Sequence, residues 1–139
     1  MATIVSDADG RLLLVQEQVH GQSVLNQPAG HLEAGESLQD AARRECLEET
    51  GWDVELTALV GIYQWEAPDG TPFLRFTFAA TPLEHHPERP LDDGIEQAIW
   101  LTPDALARTG NLRSPLVLRC VQDWLSRPPH PLSVVELLS

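Results

Sequence analysis

Alternating apolar and polar residues predict a series of short strands along this chain. The clearest alternation runs over Thr71–Ala80, which places Phe73, Arg75 and Thr77 together on one face of a strand. Further strands are predicted at Ala2–Ser6, Arg11–Glu17, Val24–Pro28, Val54–Leu59, Gly61–Trp65 and Ile95–Leu101. Asp9-Gly10 predicts a hairpin between the first two of them. We expect loops at Val19–Ser23 and Pro82–Pro90, and either an edge strand or a loose segment at Leu132–Leu138.

Capping residues mark the ends of two longer helices. Ser37 can cap the first helix, Asp40 falls at its third position, and Gly51 is placed to end it in a left-handed turn. Ser114-Pro115 opens the second helix and Pro128-Pro129 ends it. A short helix is also predicted, at Pro103–Arg108 with Thr102 as its cap. Strands and helices in this order, in 139 residues, indicate an α/β (α+β) fold in one domain covering residues 1–139.

The first helix carries acidic residues on the face that would normally be apolar. At about 100° per residue, Glu45, Glu48 and Glu49 fall on the same side as Leu38 and Ala41. Like charges three or four residues apart repel, carboxylates near a helix C-terminus oppose the helix dipole, and burial makes ionised carboxylates less stable. A hard divalent cation such as Mg²⁺ would neutralise them, and it prefers oxygen ligands and sites shared with phosphates. The alternative is an ordinary solvated acidic face.

The spacing around these acids resembles the signature of the Nudix family. Gly30, five residues, Glu36, seven residues and Arg44-Glu45-Cys46-Leu47-Glu48-Glu49-Thr50-Gly51-Trp52 match it at every charged and glycine position. Cys46 and Trp52 stand where the signature has bulky aliphatic residues, but both are apolar. The resemblance implies the Nudix fold, a mixed β-sheet sandwiched between helices. It also implies divalent-metal dependence and hydrolysis of a diphosphate linked to another moiety.

The resemblance also implies roles for individual residues. Glu45, Glu48 and Glu49 would bind Mg²⁺, or Mn²⁺ in its place, together with the main-chain carbonyl of Ala29. Arg44 would orient these acids and act with Glu48 and Glu49 in catalysis. Gly30, Glu36 and Gly51 would be structural. The general base would be one of the box glutamates or an acid of the following loop, and the candidates there are Asp92, Asp93 and Glu96.

Three residues outside the acidic face are candidates for contact with the substrate. The planar guanidinium of Arg75 suits a phosphate, although an ordinary arginine on a sheet surface is the alternative. His31 lies in the box loop, and substrate contact fits it better than ligation because Mg²⁺ prefers oxygen. Gln27 lies in the same loop and is held extended by Pro28. The paired His85-His86 is typical of plain surface.

Similarity beyond the box narrows the family resemblance. The stretches are Asn26–Glu33, Gln64-Trp65, Ala67–Asp69, Thr71–Phe76 and Asn111–Val117, and they resemble the NudJ-type phosphatases. That resemblance implies release of orthophosphate from nucleoside di- and triphosphates or from a thiamine-pathway pyrimidine diphosphate. One alternative is a pyrophosphohydrolase of ADP-ribose or another nucleotide, for which Pro68 is a weak signal. Another is a Nudix-fold nucleotide-binding or regulatory module without catalysis, although the intact box glutamates favour an enzyme. A structural Ca²⁺ site would not need Gly30 and Glu36 at these distances.

Charge and cysteine content limit the partners. The net charge of −12 argues against nucleic acid and acidic membrane as partners. The expected partner, a small-molecule diphosphate, is the one that the family resemblance implies. No apolar run approaches the roughly 18 residues that span a membrane, and no signal peptide heads the chain. Cys46 and Cys120 are expected to be buried free thiols in a reducing compartment, which predicts a cytoplasmic protein. Both a monomer and a homodimer fit.

Overall fold

The computed structural model describes residues 1–138, and Ser139 lies outside the described part. The strands and helices in chain order are β1 (Ala2–Val5), β2 (Leu12–Val19), β3 (Gln22–Asn26), α1 (Leu38–Thr50), β4 (Trp52–Glu66), β5 (Pro72–His85), β6 (Ile95–Leu101), α2 (Pro103–Arg108) and α3 (Pro115–Ser126). A short 3-10 helix follows at Leu132–Val134. Within residues 1–138, no helix combines the length and apolar character needed to cross a membrane.

The strands form two three-stranded sheets. One has the order β1-β5-β4 and the other the order β3-β2-β6. β1 runs parallel to β5, whereas the other neighbouring strands are antiparallel, so the first sheet is mixed. β4 is one long strand rather than two, and it keeps pairing with β5 through several register shifts. These bulges let a long hairpin bend without losing its hydrogen bonds.

Helices cover both faces of the sheets. β2 illustrates why, because Leu12 and Leu14 belong to one buried cluster with Val117 and Val121 of α3. Leu13, on the opposite face of the same strand, belongs to a second cluster that contains residues of α1. A strand that buries both faces reads as a continuous apolar run, as Leu12–Val15 does. The predicted arrangement of sheet between helices is thereby confirmed.

The hairpin predicted at Asp9-Gly10 is wrong. The Asp7 carboxylate does accept hydrogen bonds from the amides of Asp9 and Arg11, so the chain reverses there. β1 and β2, however, separate into different sheets, and the two sides of the turn share only an isolated bridge between Ser6 and Leu12. All four residues of β1 are buried, and their backbone groups are hydrogen-bonded through pairing with β5 rather than with β2.

The actual hairpin between β2 and β3 lies where a loop was expected, at Val19–Ser23. β2 continues to Val19 and β3 begins at Gln22, and only His20-Gly21 forms the turn. Both turn residues have positive φ, 51° and 79°, which is the geometry of a tight two-residue hairpin. The expected loop at Pro82–Pro90 is also shorter, because β5 extends to His85.

The box loop is attached to the edge of β1. The amide of Thr3 donates to the Pro28 carbonyl at 3.1 Å, and the amide of Gly30 donates to the Met1 carbonyl at 3.0 Å. Ala2 and Ala29 form an isolated antiparallel bridge between these two bonds. The loop that precedes α1 is therefore fixed by backbone pairing, which positions it for the site described below.

Candidate active site

Helix α1 is fixed at both ends as its sequence predicts. The Ser37 hydroxyl accepts a hydrogen bond from the Asp40 amide at 3.0 Å, which caps the N-terminus. At the other end Gly51 has a φ of 77°, and its amide donates to the Leu47 carbonyl. This left-handed position is favourable for glycine and costly for other residues. The rigid helix carries the box glutamates.

Three carboxylates meet beside α1. One oxygen from each of Glu45, Glu48 and Asp92 lies within 4.8 Å of the other two. Asp92 comes from the loop before β6, and its amide donates to the Glu48 carbonyl at 3.1 Å. That backbone hydrogen bond joins the loop to the helix, and it thereby positions Asp92 beside the two glutamates.

Arg44 holds the acidic groups together. Its guanidinium makes a bidentate pair with Glu36, with distances of 2.7 and 3.0 Å. It also donates to Glu45 at 2.6 Å, to Glu48 at 3.2 Å and to the His31 carbonyl at 2.9 Å. These bonds, first of all the one to Glu36, raise the pKa of Arg44, so its charge is permanent. One arginine therefore joins the box loop, Glu36 and two of the clustered acids.

Glu49 is partly buried and is hydrogen-bonded to the loop before α1. Its carboxylate accepts a hydrogen bond from the Ala29 amide at 2.8 Å. Burial raises the pKa of Glu49 to about 8, and the negative charges of Glu45, Glu17 and Asp92 add to the rise while the Ala29 amide opposes it. Burial likewise raises the pKa of Glu45. A divalent cation would reverse this by stabilising the ionised forms.

The site fits a divalent cation of the Mg²⁺ type. Its donors are carboxylate oxygens, which are the ligands that this ion prefers. Their combined negative charge exceeds the positive charge of the single neighbouring arginine. Gly30 provides the space for one of them, because a Cβ at this position would overlap the carboxyl group of Glu45. This close packing holds the Glu45 carboxylate in one position, which is what a cation ligand requires.

A cavity of about 310 Å³ opens next to this cluster. Ala29, Gly30 and His31 form one side of it and Arg75 another. Arg75 is only 9% exposed, and its guanidinium donates to the side-chain oxygens of Gln27 and Asn26. Among residues 1–138, no carboxylate lies within ion-pair distance of it, and burial lowers its pKa. A buried cation with only neutral partners is costly, and an anion in the cavity would offset that cost.

The structure places the remaining candidates differently. His31 lines the cavity, whereas Gln27 is 2% exposed and lies beneath Arg75, bonded to it and to the Val117 carbonyl. Glu96 is directed to β2 and β3, where it accepts from Gln18 and Ser23. Of the loop acids, Asp92 joins the carboxylate cluster, and Asp93 and Glu96 do not.

The sequence patterns did not identify two of the charged residues that line this cavity. Glu17 lies on β2 and Arg113 just before α3, and both line the cavity, with 3.9 Å between the arginine Nε and a glutamate oxygen. Alternation could have found Glu17, because it falls on the same face of β2 as Leu13, which packs towards α1. Arg113 had no such signal, since it lies in a loop that only the folded chain brings to the site.

Comparison with known proteins agrees with this geometry. The family model described as NUDIX domain matches residues 1–119. Phosphatase NudJ of Escherichia coli (strain K12) is 41% identical over 131 residues, which are 94% of this chain and 86% of that protein. A NUDIX hydrolase from Nitrosomonas europaea has a TM-score of 0.93 and 41% identity, covering 99% of this chain and 94% of its own.

More distant structures share the fold alone. A C. elegans Ap4A hydrolase is superimposed with a TM-score of 0.70 at 17% identity, covering 90% of this chain and 93% of its own. The family model and the two relatives at 41% identity carry the assignment, and they agree with the carboxylate cluster on the helix that begins after Ser37. The chain belongs to the Nudix family of hydrolases.

Proposed function

We propose that this enzyme uses a divalent cation to cleave phosphoanhydride bonds of nucleoside di- and triphosphates, or of a thiamine-pathway pyrimidine diphosphate, and releases orthophosphate. The observation that carries the proposal is the meeting of the Glu45, Glu48 and Asp92 carboxylates beside a cavity that contains the buried Arg75. Cation ligands beside a cavity whose guanidinium has no acidic partner suit a ligand with two adjacent phosphates. The similarity to a protein named phosphatase supports the product.

In this proposal the carboxylates have different roles. Glu45, Glu48 and Asp92 would hold Mg²⁺, or Mn²⁺ in its place, and the Ala29 carbonyl would contribute beside them. When bound, the cation neutralises phosphate charge and lowers the pKa of a water molecule at the site. Arg44 keeps Glu45 and Glu48 in place through its hydrogen bonds.

Glu49 is the general base of the proposal, and Asp92 is the second candidate. The Ala29 amide fixes one oxygen of the Glu49 carboxylate, which orients the group beside the proposed cation ligands. Glu49 would accept the proton of the attacking water as the water oxygen bonds in line to phosphorus and the phosphoanhydride P–O bond breaks, so that the bridging oxygen leaves with the other phosphate. Arg75 would stabilise the second phosphate, with His31 beside it. Positioning and charge neutralisation supply most of the catalysis in phosphoryl transfer.

A product-resolved substrate panel tests the proposal. Wild-type protein with Mg²⁺ is assayed separately for orthophosphate and pyrophosphate, with EDTA-treated protein as the control. The panel contains nucleoside di- and triphosphates, a pyrimidine diphosphate, ADP-ribose and dinucleoside polyphosphates. We expect orthophosphate from the first two classes. Pyrophosphate from triphosphates, or cleavage of ADP-ribose alone, would replace the proposal with a nucleotide pyrophosphohydrolase, and no turnover of any compound would favour a binding module.

The proposal extends to the setting of the enzyme. Two buried free thiols, Cys46 and Cys120, are consistent with a cytoplasmic location. We also propose that the chain forms a single domain and that its partner is a small diphosphate rather than nucleic acid or a membrane. The protein would be a monomer or a homodimer. Size-exclusion chromatography with light scattering distinguishes the two oligomeric states.

A further inference from the structure

A second cavity of about 940 Å³ adjoins the one at the carboxylate cluster. Trp65, Phe73, Arg113 and Ser114 line both cavities, so these side chains form a shared wall. Beyond that wall the larger cavity continues between the turn after β4, which contains Pro68, and the start of α3. The two cavities therefore adjoin, and the smaller one is the one lined by Ala29 and Gly30, next to the carboxylates.

An aromatic pair stands at the junction of the cavities. Trp65 and Phe73 are paired across β4 and β5, and their ring centroids are 5.5 Å apart at an interplanar angle of 33°. Trp65 is partly exposed and Phe73 is 36% exposed, although large aromatic rings are usually buried. Because both residues border the cavities, the accessible ring surface faces the groove rather than bulk solvent alone.

Charge is arranged to match an elongated ligand. Arg75 is buried in the smaller cavity, and Arg113, with 42% of its side chain exposed, lies at the junction with Trp65. Arg119 borders the larger cavity, but it pairs with the buried Asp123. Arg75, which has no carboxylate within ion-pair distance among residues 1–138, thus lines the smaller cavity, and the aromatic pair lies where that cavity meets the larger one. A ligand with phosphates at one end and a flat ring at the other matches this order.

The volumes agree with that division. Small-molecule sites measure roughly 300–1,000 Å³, so the smaller cavity, at about 310 Å³, is at the lower limit. That volume suits a phosphate chain better than a phosphate chain with an attached organic group. The larger cavity, at about 940 Å³, is near the upper limit of this range and has the volume for such a group.

We propose that the two cavities form one substrate groove in which a planar heterocycle stacks on Trp65 while its phosphates reach Arg75. The substrate class is therefore an aromatic ring joined to a diphosphate, and Trp65 selects for the ring. This inference rests on the proposed function, because it takes the carboxylate cluster as the place where the phosphates bind. Stacking requires only a flat face, so both purines and pyrimidines are accepted.

Equilibrium binding tests the inference independently of turnover. Isothermal titration calorimetry is performed with Mg²⁺ in a Glu49→Gln background, which prevents hydrolysis. The probes are ADP, CDP and inorganic pyrophosphate, which shares the phosphates and lacks a ring. The Trp65→Leu substitution removes the aromatic face, and Trp65→Phe retains one. Ile62→Ala, on the same strand and 53% exposed, is the matched control for the loss of an exposed apolar side chain.

We expect Trp65→Leu to raise the Kd of ADP and CDP about 10-fold and to leave that of pyrophosphate unchanged. Trp65→Phe should stay within about 3-fold of the parent, and Ile62→Ala should match it. Unchanged ADP and CDP binding in Trp65→Leu overturns the inference. An equal loss of affinity for pyrophosphate also overturns the inference, because the substitution would then act on the phosphate end of the site. Failure of the Glu49→Gln parent to bind ADP or CDP overturns it as well. If ring-dependent binding is found but wild-type protein releases no phosphate, the proposed function fails and the groove stands.

Discussion

At the scale of single residues, Gly30 shows how closely the backbone approaches a proposed cation ligand. A Cβ there would overlap the carboxyl group of Glu45, so Gly30→Ala must displace either the loop or the carboxylate. We expect Mg²⁺ affinity to fall about 10- to 100-fold, as it does when a group that orients a ligand is lost. Calorimetric titration with Mg²⁺ measures this change.

Gly110→Ala is the matched control for that substitution. Nothing lies within 4 Å of a Cβ built at Gly110, so the same added methyl group meets open space. Its Mg²⁺ affinity should equal that of the wild type. If Gly30→Ala also binds Mg²⁺ normally, then Glu45 is not held at the point that the proposal requires.

Glu49 makes the stability of the metal-free protein depend on pH. The pKa of its carboxyl is raised from 4.5 to about 8, so the folded state binds more protons than the unfolded state between these values. The stabilising contribution is therefore complete below pH 4.5 and is lost as the pH rises to about 8, at up to about 1.4 kcal/mol per pH unit. Thermal denaturation in EDTA across this range measures the loss.

Comparison with Glu49→Gln isolates the contribution. The pKa of His86 is raised by its hydrogen bond to Asp53, so His86 also makes stability depend on pH, but it is present in both proteins. We expect the Tm of the wild type to fall more steeply with pH than that of Glu49→Gln, and added Mg²⁺ to restore stability most at the alkaline end. Parallel Tm profiles would show that Glu49 does not titrate in this window.

At the scale of elements, the loop before β6 distinguishes two adjacent acids. Both acids are exposed, but Asp92 joins the carboxylate cluster and its amide donates to the Glu48 carbonyl, whereas Asp93 lies outside the cluster. Asp92→Asn should reduce kcat at least about 10-fold at saturating Mg²⁺, because one cation ligand or candidate base loses its charge. Asp93→Asn removes the same charge one residue away and should leave kcat unchanged. Equal effects of the two substitutions would indicate a general electrostatic role of the loop.

The end of α1 is a second local feature with a measurable effect. Gly51 has a φ of 77°, and a Cβ there would meet the His86 carbonyl oxygen at 3.0 Å. Gly51→Ala should cost about 1–2 kcal/mol, which corresponds to a lower Tm by several degrees. Gly110→Ala, at an ordinary φ, serves again as the control. A Tm unchanged in Gly51→Ala would mean that the helix end relaxes without cost.

Local signals explain which elements the sequence predicts well. The ends of α1 follow from Ser37 and Gly51, since a cap is a contact within a few residues, and α3 begins as Ser114-Pro115 predicts. The hairpin at Asp9-Gly10 failed because strand pairing is not local. The turn forms, but β1 pairs with β5, about 75 residues later in the chain.

At the scale of the whole molecule, the candidate site combines both kinds of information. Its box residues are contiguous in sequence, so helical periodicity and the family signature find Glu45, Glu48 and Glu49 together. Asp92, Glu17 and Arg113 arrive from other elements, and their positions depend on how two sheets and three helices pack. Periodicity within a segment cannot report such distances. The sequence therefore predicts the acidic residues of the candidate site better than the shape of the proposed substrate groove.

The most direct test of the account is the rate of Mg²⁺-dependent orthophosphate release from a nucleoside diphosphate by wild type, Glu49→Gln and Glu55→Gln. Glu55 is an exposed residue of β4, so its substitution makes the same chemical change away from the site. The account predicts that Glu49→Gln lowers kcat at least about 100-fold with an unchanged circular dichroism spectrum, and that Glu55→Gln keeps it within about 2-fold. Wild-type kcat in folded Glu49→Gln would contradict the account.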